Sequence, residues 1–151
     1  MKKLFFSVCA ASLLLFSACS KDDDKDASEM SSAEISSMIV GTWQIIQEEW
    51  SYKEDGEKDS GVDKFAEGEF SWTFNSDHSC IYREWDIEYD ETYEDTGSWR
   101  IEGNTLIAES GEEELEWVIE KLTKDELIMN TYVDYGNGDY DKDRIIAKKI
   151  K

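Results

Sequence analysis

From Gly41 to near the C-terminus, apolar and polar residues alternate with a period of two, a pattern that commits this chain to β-sheet. Eight segments carry the alternation: 42–52, 69–75, 79–90, 95–102, 104–109, 113–122, 125–134 and 139–149. Between them lie Asn75-Ser76-Asp77-His78, Gly103-Asn104, Thr123-Lys124 and Gly136-Asn137-Gly138, residue types that tolerate positive φ or cap their own backbone. Such short turns make consecutive strands antiparallel neighbours. Eight of them with one apolar face close most economically into an up-and-down barrel, which leaves no exposed edge. The chain contains no proline, in keeping with strands paired on both sides.

The alternation also assigns faces. Phe70, Trp72 and Phe74 oppose Glu69, Ser71 and Thr73; Gly97, Trp99 and Ile101 oppose Ser98 and Arg100; Leu115, Trp117 and Ile119 oppose Glu114, Glu116 and Glu120. In the third strand Ile81, Arg83, Trp85, Ile87 and Tyr89 are read as inward, against Tyr82, Glu84, Asp86, Glu88 and Asp90. Both parities are apolar in the first strand (Trp43 and Ile45, Ile46 and Trp50), which predicts a bulge near Ile45-Ile46. Ahead of the strands, Ser31 to Glu34 fits a capping box, with Ile35, Met38 and Ile39 following at helical spacing. A short helix over Ser32 to Val40 is expected as an end plug.

The N-terminus is of another kind. Lys2 and Lys3 precede an apolar stretch from Leu4 to Phe16, and the small Ser17 and Ala18 stand directly before Cys19. A run of that length, charged only on its N-terminal side, reads as a signal peptide and not a membrane span. The ending Phe16-Ser17-Ala18-Cys19 resembles the lipobox of bacterial lipoproteins, with Phe16 where Leu or Val is usual. That resemblance implies cleavage before Cys19 and a diacylglycerol on its sulfur. Residues 1–18 are then a lipoprotein signal peptide, 19–30 a lipidated acidic tether and 31–151 the barrel domain. The run Ser20-Lys21-Asp22-Asp23-Asp24-Lys25-Asp26 resembles the acidic export tag of surface-exposed lipoproteins in some Gram-negative bacteria, and it also suits a plain charged tether. The expected location is the outer membrane, lipid-anchored and facing the exterior. Each buried methylene of two or three acyl chains contributes ~0.8 kcal/mol, enough together for a stable anchor.

Charge and cysteine usage narrow the function. Loss of residues 1–18 removes two lysines and no acids, taking the net charge from −20 to −22. That argues against nucleic acid or anionic headgroups as partners through a basic face. Six Trp, seven Tyr and six Phe separate the chain from a disordered acidic polymer. Cys80 is the one thiol left once Cys9 departs and Cys19 is lipidated, too few for a disulfide or a zinc site, and it reads as an inert residue at a strand start.

Nothing in the sequence has the pattern of a catalytic centre. The sole histidine, His78, lies in a tight turn, and no nucleophile sits in an elbow or triad context. No catalytic residue, cofactor or enzyme activity is expected. Asn137, Asp139, Asp141 and Asp143 alternate like the start of a calcium loop. Counting from Asp139, though, the sixth and twelfth positions are Arg144 and Ile150 instead of Gly and Glu, so no metal is expected and the aspartates are assigned to an outer face. Arg83 stands out among inward residues. Either it pairs with a Glu inside or reaches water near the mouth, or it anchors a carboxylate or phosphate headgroup while Trp72, Trp85, Trp117 and Tyr89 line the apolar part of a ligand site.

Gly41-Thr42-Trp43, Thr73-Phe74-Asn75-Ser76-Asp77, Thr96-Gly97-Ser98-Trp99-Arg100-Ile101, Gly103-Asn104-Thr105-Leu106 and Leu122-Thr123-Lys124-Asp125-Glu126-Leu127 follow in an order and spacing that resembles the lipocalin-like domains of small bacterial lipoproteins, across residues 38 to 150. The resemblance implies an all-β, eight-stranded antiparallel up-and-down lipocalin-like barrel with a short N-terminal helix. Trp43 then closes the narrow end, with Arg144 as the cation stacked upon it. The polar segment Lys53 to Gly68, with Gly56 and Gly61, becomes a mobile loop over the open mouth. The leading expectation is a cell-surface lipoprotein binding a small, at least partly apolar ligand inside the barrel. The alternative is a surface protein-interaction module, adhesin or inhibitor-like, whose barrel is packed. An eight-stranded barrel can be either, and a cavity of ~300 Å³ or more would favour the ligand.

Overall fold

The computed structural model describes residues 26–86, 89–111 and 113–151. The signal peptide, Cys19, the acidic run through Lys25, and Ile87 with Glu88 lie outside the described residues. A helix α1 (Ser32–Ile39) precedes nine strands: β1 (Gly41–Glu54), β2 (Glu57–Lys64), β3 (Phe70–Phe74), β4 (Ser79–Asp86), β5 (Glu91–Glu102), β6 (Thr105–Ser110), β7 (Glu113–Leu122), β8 (Glu126–Gly136) and β9 (Asp139–Lys149). Every neighbouring pair is antiparallel, and β9 pairs back onto β1. The result is a closed eight-stranded barrel with one strand added.

The added strand is β2, where a loop was expected. β1 runs on to Glu54, turns at Asp55-Gly56 with φ of 51° and 86°, and returns as β2 along its own edge. Two consecutive positive φ values give the turn whose twist matches a hairpin, and Asp-Gly is a preferred pair for it. β2 and β3 share that edge of β1: Lys64 pairs with Gln47 and Ser71 with Gln44. The barrel's second strand is therefore one strand interrupted between Lys64 and Phe70. Gln44, 4% exposed, ties the break together. Its amide donates to the carbonyls of Ile45 (3.0 Å), Ala66 (3.3 Å) and Phe70 (2.8 Å), and accepts from the Gly68 N–H at 2.9 Å. The expected bulge is present, since the β1–β9 register slips between Ile45 and Gln47.

The helix end of the barrel is filled. Ser31 caps α1, its hydroxyl accepting from the Glu34 N–H while the Glu34 carboxylate accepts from the Ser31 N–H. Ile35 and Ile39 are buried with Trp43, Phe74, Trp99, Leu106, Ile119, Leu122, Leu127 and Met129. The Trp43 indole donates to the Ile39 carbonyl at 2.6 Å, binding plug to barrel. Packing starts ahead of the helix: Asp26 bridges to Lys121, and Ala27 is fully buried. The cation over Trp43 is Lys149, at 4.9 Å from the ring centre, and not Arg144. Ile145 and Ala147 of β9 are buried, so Lys149 shares their face at the barrel's end while Arg144 faces out to Glu120 (2.8 Å) and Glu49 (3.2 Å).

Candidate functional site

Which face of β4 points inward is decided by its neighbours. In an antiparallel pair, directly opposed residues share a face. Phe74 opposes Cys80, Trp72 opposes Tyr82 and Phe70 opposes Glu84; on the other side Cys80 opposes Gly97. Both neighbours thus turn Cys80, Tyr82 and Glu84 inward and Arg83 and Trp85 outward. The inward assignment of Ile81, Arg83 and Trp85 is reversed. The Arg83 side chain is 52% exposed and pairs with Glu94 on the outer surface at 2.5 Å. Trp85 is 40% and Tyr89 68% exposed. Of the five residues expected to line a ligand site, Trp72 and Trp117 border an interior cavity and these three do not.

Above the filled half lies a cavity of about 280 Å³. Trp72 and Trp117, on strands that do not pair, meet edge to face across the interior with centroids 5.9 Å apart. The walls continue through Phe65, Phe70, Phe74 and Tyr82. Phe65 and Phe70 pack at 4.4 Å across the strand break, so Gln44 also positions this wall. Gly97 belongs to the lining, and a Cβ there would collide with the Glu109 carbonyl of the adjacent strand.

Polar chemistry is one-sided. Glu48, Asp95, Glu109 and Glu113 line the cavity, with no Lys, Arg or His among the lining residues. Burial, with Asp143 and Asp63 nearby, pushes the Glu48 carboxyl above its usual range. Burial, then Asp141, does the same to Asp143. Asp143 has the parity of Ile145 and Ala147 on an unbroken strand, so it belongs to the inward face near the mouth, not the outer face expected for it. Asp95 accepts from the Ser110 hydroxyl at 2.6 Å. The Glu109 carboxylate pairs with Arg100, which also holds Glu102 and Glu114 at 3.0 Å. Burial raises the Cys80 thiol and, strongly, the Tyr82 phenol, so both stay protonated. Among the described residues, the one buried side-chain polar atom without a hydrogen bond is the indole nitrogen of Trp117. His78 sits in the β3–β4 turn at φ 68°, packed on Trp99.

The model of the lipocalin-like domain family matches residues 39–129. No curated protein matches the chain. Among solved structures, a lipocalin-like protein from Bacteroides uniformis is similar, at 14% identity and a TM-score of 0.51, over 74% of this chain and 98% of that one. An uncharacterized protein from Bacteroides eggerthii is similar at 14% identity and a TM-score of 0.50, with the same coverage.

Proposed function

The chain belongs to the lipocalin-like domain family, and from that premise we propose that it is a lipid-anchored protein of the bacterial cell surface that binds a small, at least partly apolar molecule in its barrel. The observation that carries the reading is the aromatic-walled cavity of about 280 Å³ above the Trp72–Trp117 contact. That volume is just below the ~300–1,000 Å³ of small-molecule sites, so the ligand it can take is a compact one. The half-buried thiol of Cys80 and phenol of Tyr82 are both held protonated, which favours binding over nucleophilic chemistry as the role of the site. Attachment through Cys19 and outward display rest on the lipobox-like ending and the acidic run after it.

Native mass spectrometry of the full chain from its bacterial host, followed by organic extraction, tests the binding. A reproducible small-molecule mass that disappears in Ala108→Leu, which fills the cavity wall, is the expected result. An empty protein, indifferent to that substitution, would overturn it. Acyl labelling lost in Cys19→Ser and protease shaving of intact cells test the anchor and its orientation. A second reading, the interaction module, is favoured by the exposed Trp85, Tyr89, Tyr93, Tyr132 and Tyr135, since exposed aromatics are enriched where proteins are recognised. An empty protein in the first experiment would make it the leading one.

A further inference from the structure

We propose that the molecule taken by this cavity is an organic cation: an amine or quaternary ammonium group on a small apolar body, with the rings of Trp72, Trp117, Phe70 and Tyr82 around it and Glu48, Asp95 and Glu113 receiving its charge. The inference rests on the binding reading above and adds the chemical class.

The carboxylates argue first. Among the described residues, Glu48, Asp95 and Glu113 have no ion-pair partner, while Glu109 is already matched by Arg100. Glu48 is half-buried, and the charges that act on it, Asp143 and Asp63, have its own sign. A carboxylate withdrawn from water among other carboxylates is disfavoured unless a cation joins it. The outer surface supplies its acids with arginine: Arg83 for Glu94, Arg100 for Glu102 and Glu114, Arg144 for Glu49 and Glu120. Glu109 apart, the carboxylates of the lining have no such partner among the described residues, and an entering cation supplies one.

The walls argue independently. Aromatic faces attract cations, most strongly where water is excluded, and Trp72 stands in ring contact with Phe74, Tyr82 and Trp117. Trp117 is 7% exposed, so its ring borders the cavity largely shielded from water. A metal ion fits less well, because no three acidic, His or Cys side chains among the described residues converge to coordinate one. The geometry asks for a charge spread over an organic group. A chain of net charge −20 also draws cations towards its mouth and repels fatty acids and phosphates.

Titration calorimetry of the full chain in nanodiscs of an uncharged glycolipid decides the matter with three probes. All share a phenylpropyl body and end in trimethylammonium, hydroxyl or carboxylate. The ammonium probe should bind at least tenfold tighter than the alcohol, with the carboxylate weakest. Glu48→Gln combined with Glu113→Gln should reduce the preference at least fivefold, Asp95 keeping the remainder, with the unfolding midpoint checking the fold. Glu48→Gln alone, should the pair misfold, should reduce the preference at least threefold. Arg83→Ala, on the outer face, should leave it unchanged. Equal binding of all three probes, or a preference untouched by the Glu substitutions, overturns the cation and leaves the binding reading standing. No binding by any probe overturns both.

Discussion

The strand break held by Gln44 offers the sharpest test of how this barrel shapes its cavity. Gln44→Leu keeps the side chain's volume and removes every hydrogen bond it makes to Ala66, Gly68 and Phe70. The two amide hydrogens serve three carbonyls, one of them the neighbouring Ile45, so the substitution deletes about three effective bonds, each contributing about 0.5–1.5 kcal/mol net. Ala66 and Gly68 are exposed enough for water to replace part of the loss, whereas Phe70 is not. The expected cost is about 2–4 kcal/mol, which for a chain of this size lowers the melting temperature by roughly 4–16 °C. Urea unfolding followed by tryptophan fluorescence gives the global value. Hydrogen exchange gives the local one: the Gly68 amide, and the Trp85 amide bonded to the Glu69 carbonyl at 2.7 Å, should lose protection ahead of the rest of β4. Gln44→Glu separates donors from acceptor. It keeps the acceptor for Gly68 but loses both donors at neutral pH, and regains one when protonated in acid. A Leu variant within 0.5 kcal/mol of the parent, with Gly68 exchange unchanged, would refute the clamp.

Three further outcomes follow from the same geometry. Gly97→Ala should destabilise by about 1–3 kcal/mol in denaturant unfolding, because its Cβ meets the Glu109 carbonyl in a paired wall that cannot retreat far. Arg83→Ala should cost no more than about 1 kcal/mol by the same assay, as expected of an ion pair exposed on both sides; a larger loss would return Arg83 to the interior. Glu48 and Asp143 have folded pKa values raised above the ordinary 4.5 and 3.8, so the stability they contribute is complete below those values and is lost as pH rises through the folded ones. Melting measured from pH 7 down to pH 4 should therefore show Glu48→Gln more stable than the parent at pH 7, with the gap closing as the pH falls, and a constant gap would contradict it.

Much of the fold was legible in the chain. Each of the eight alternating segments contains a strand, though β4 stops at Asp86 and β5 starts at Glu91 where the expected bounds were 90 and 95; the capping box starts α1, and the bulge is at Ile45–Gln47. What failed was the treatment of each strand by itself. β4 carries aromatic residues on both parities, Tyr82 on one and Trp85 on the other, so its own amphipathicity is ambiguous. The turn before it was the better guide. It closes Phe74 onto Cys80, and an antiparallel pair passes the inward parity of Phe74 directly to Cys80 and Tyr82. Asp55-Gly56 was likewise a hairpin signal, hidden by flanks so polar that Glu57–Lys64 has no apolar face to read.

The sequence by itself determined the architecture, because side-chain period and turn chemistry are local and repeat along the whole chain. Only the tertiary structure decided the site. The interrupted second strand depends on one glutamine reaching residues 22 to 26 positions away. The cavity depends on two tryptophans meeting from strands that never pair. The unmatched charge of Glu48 depends on β1 and β9 bringing carboxylates together across a register set by a bulge. Each is a relation between distant segments, and closure of the barrel is what sets the distances between them.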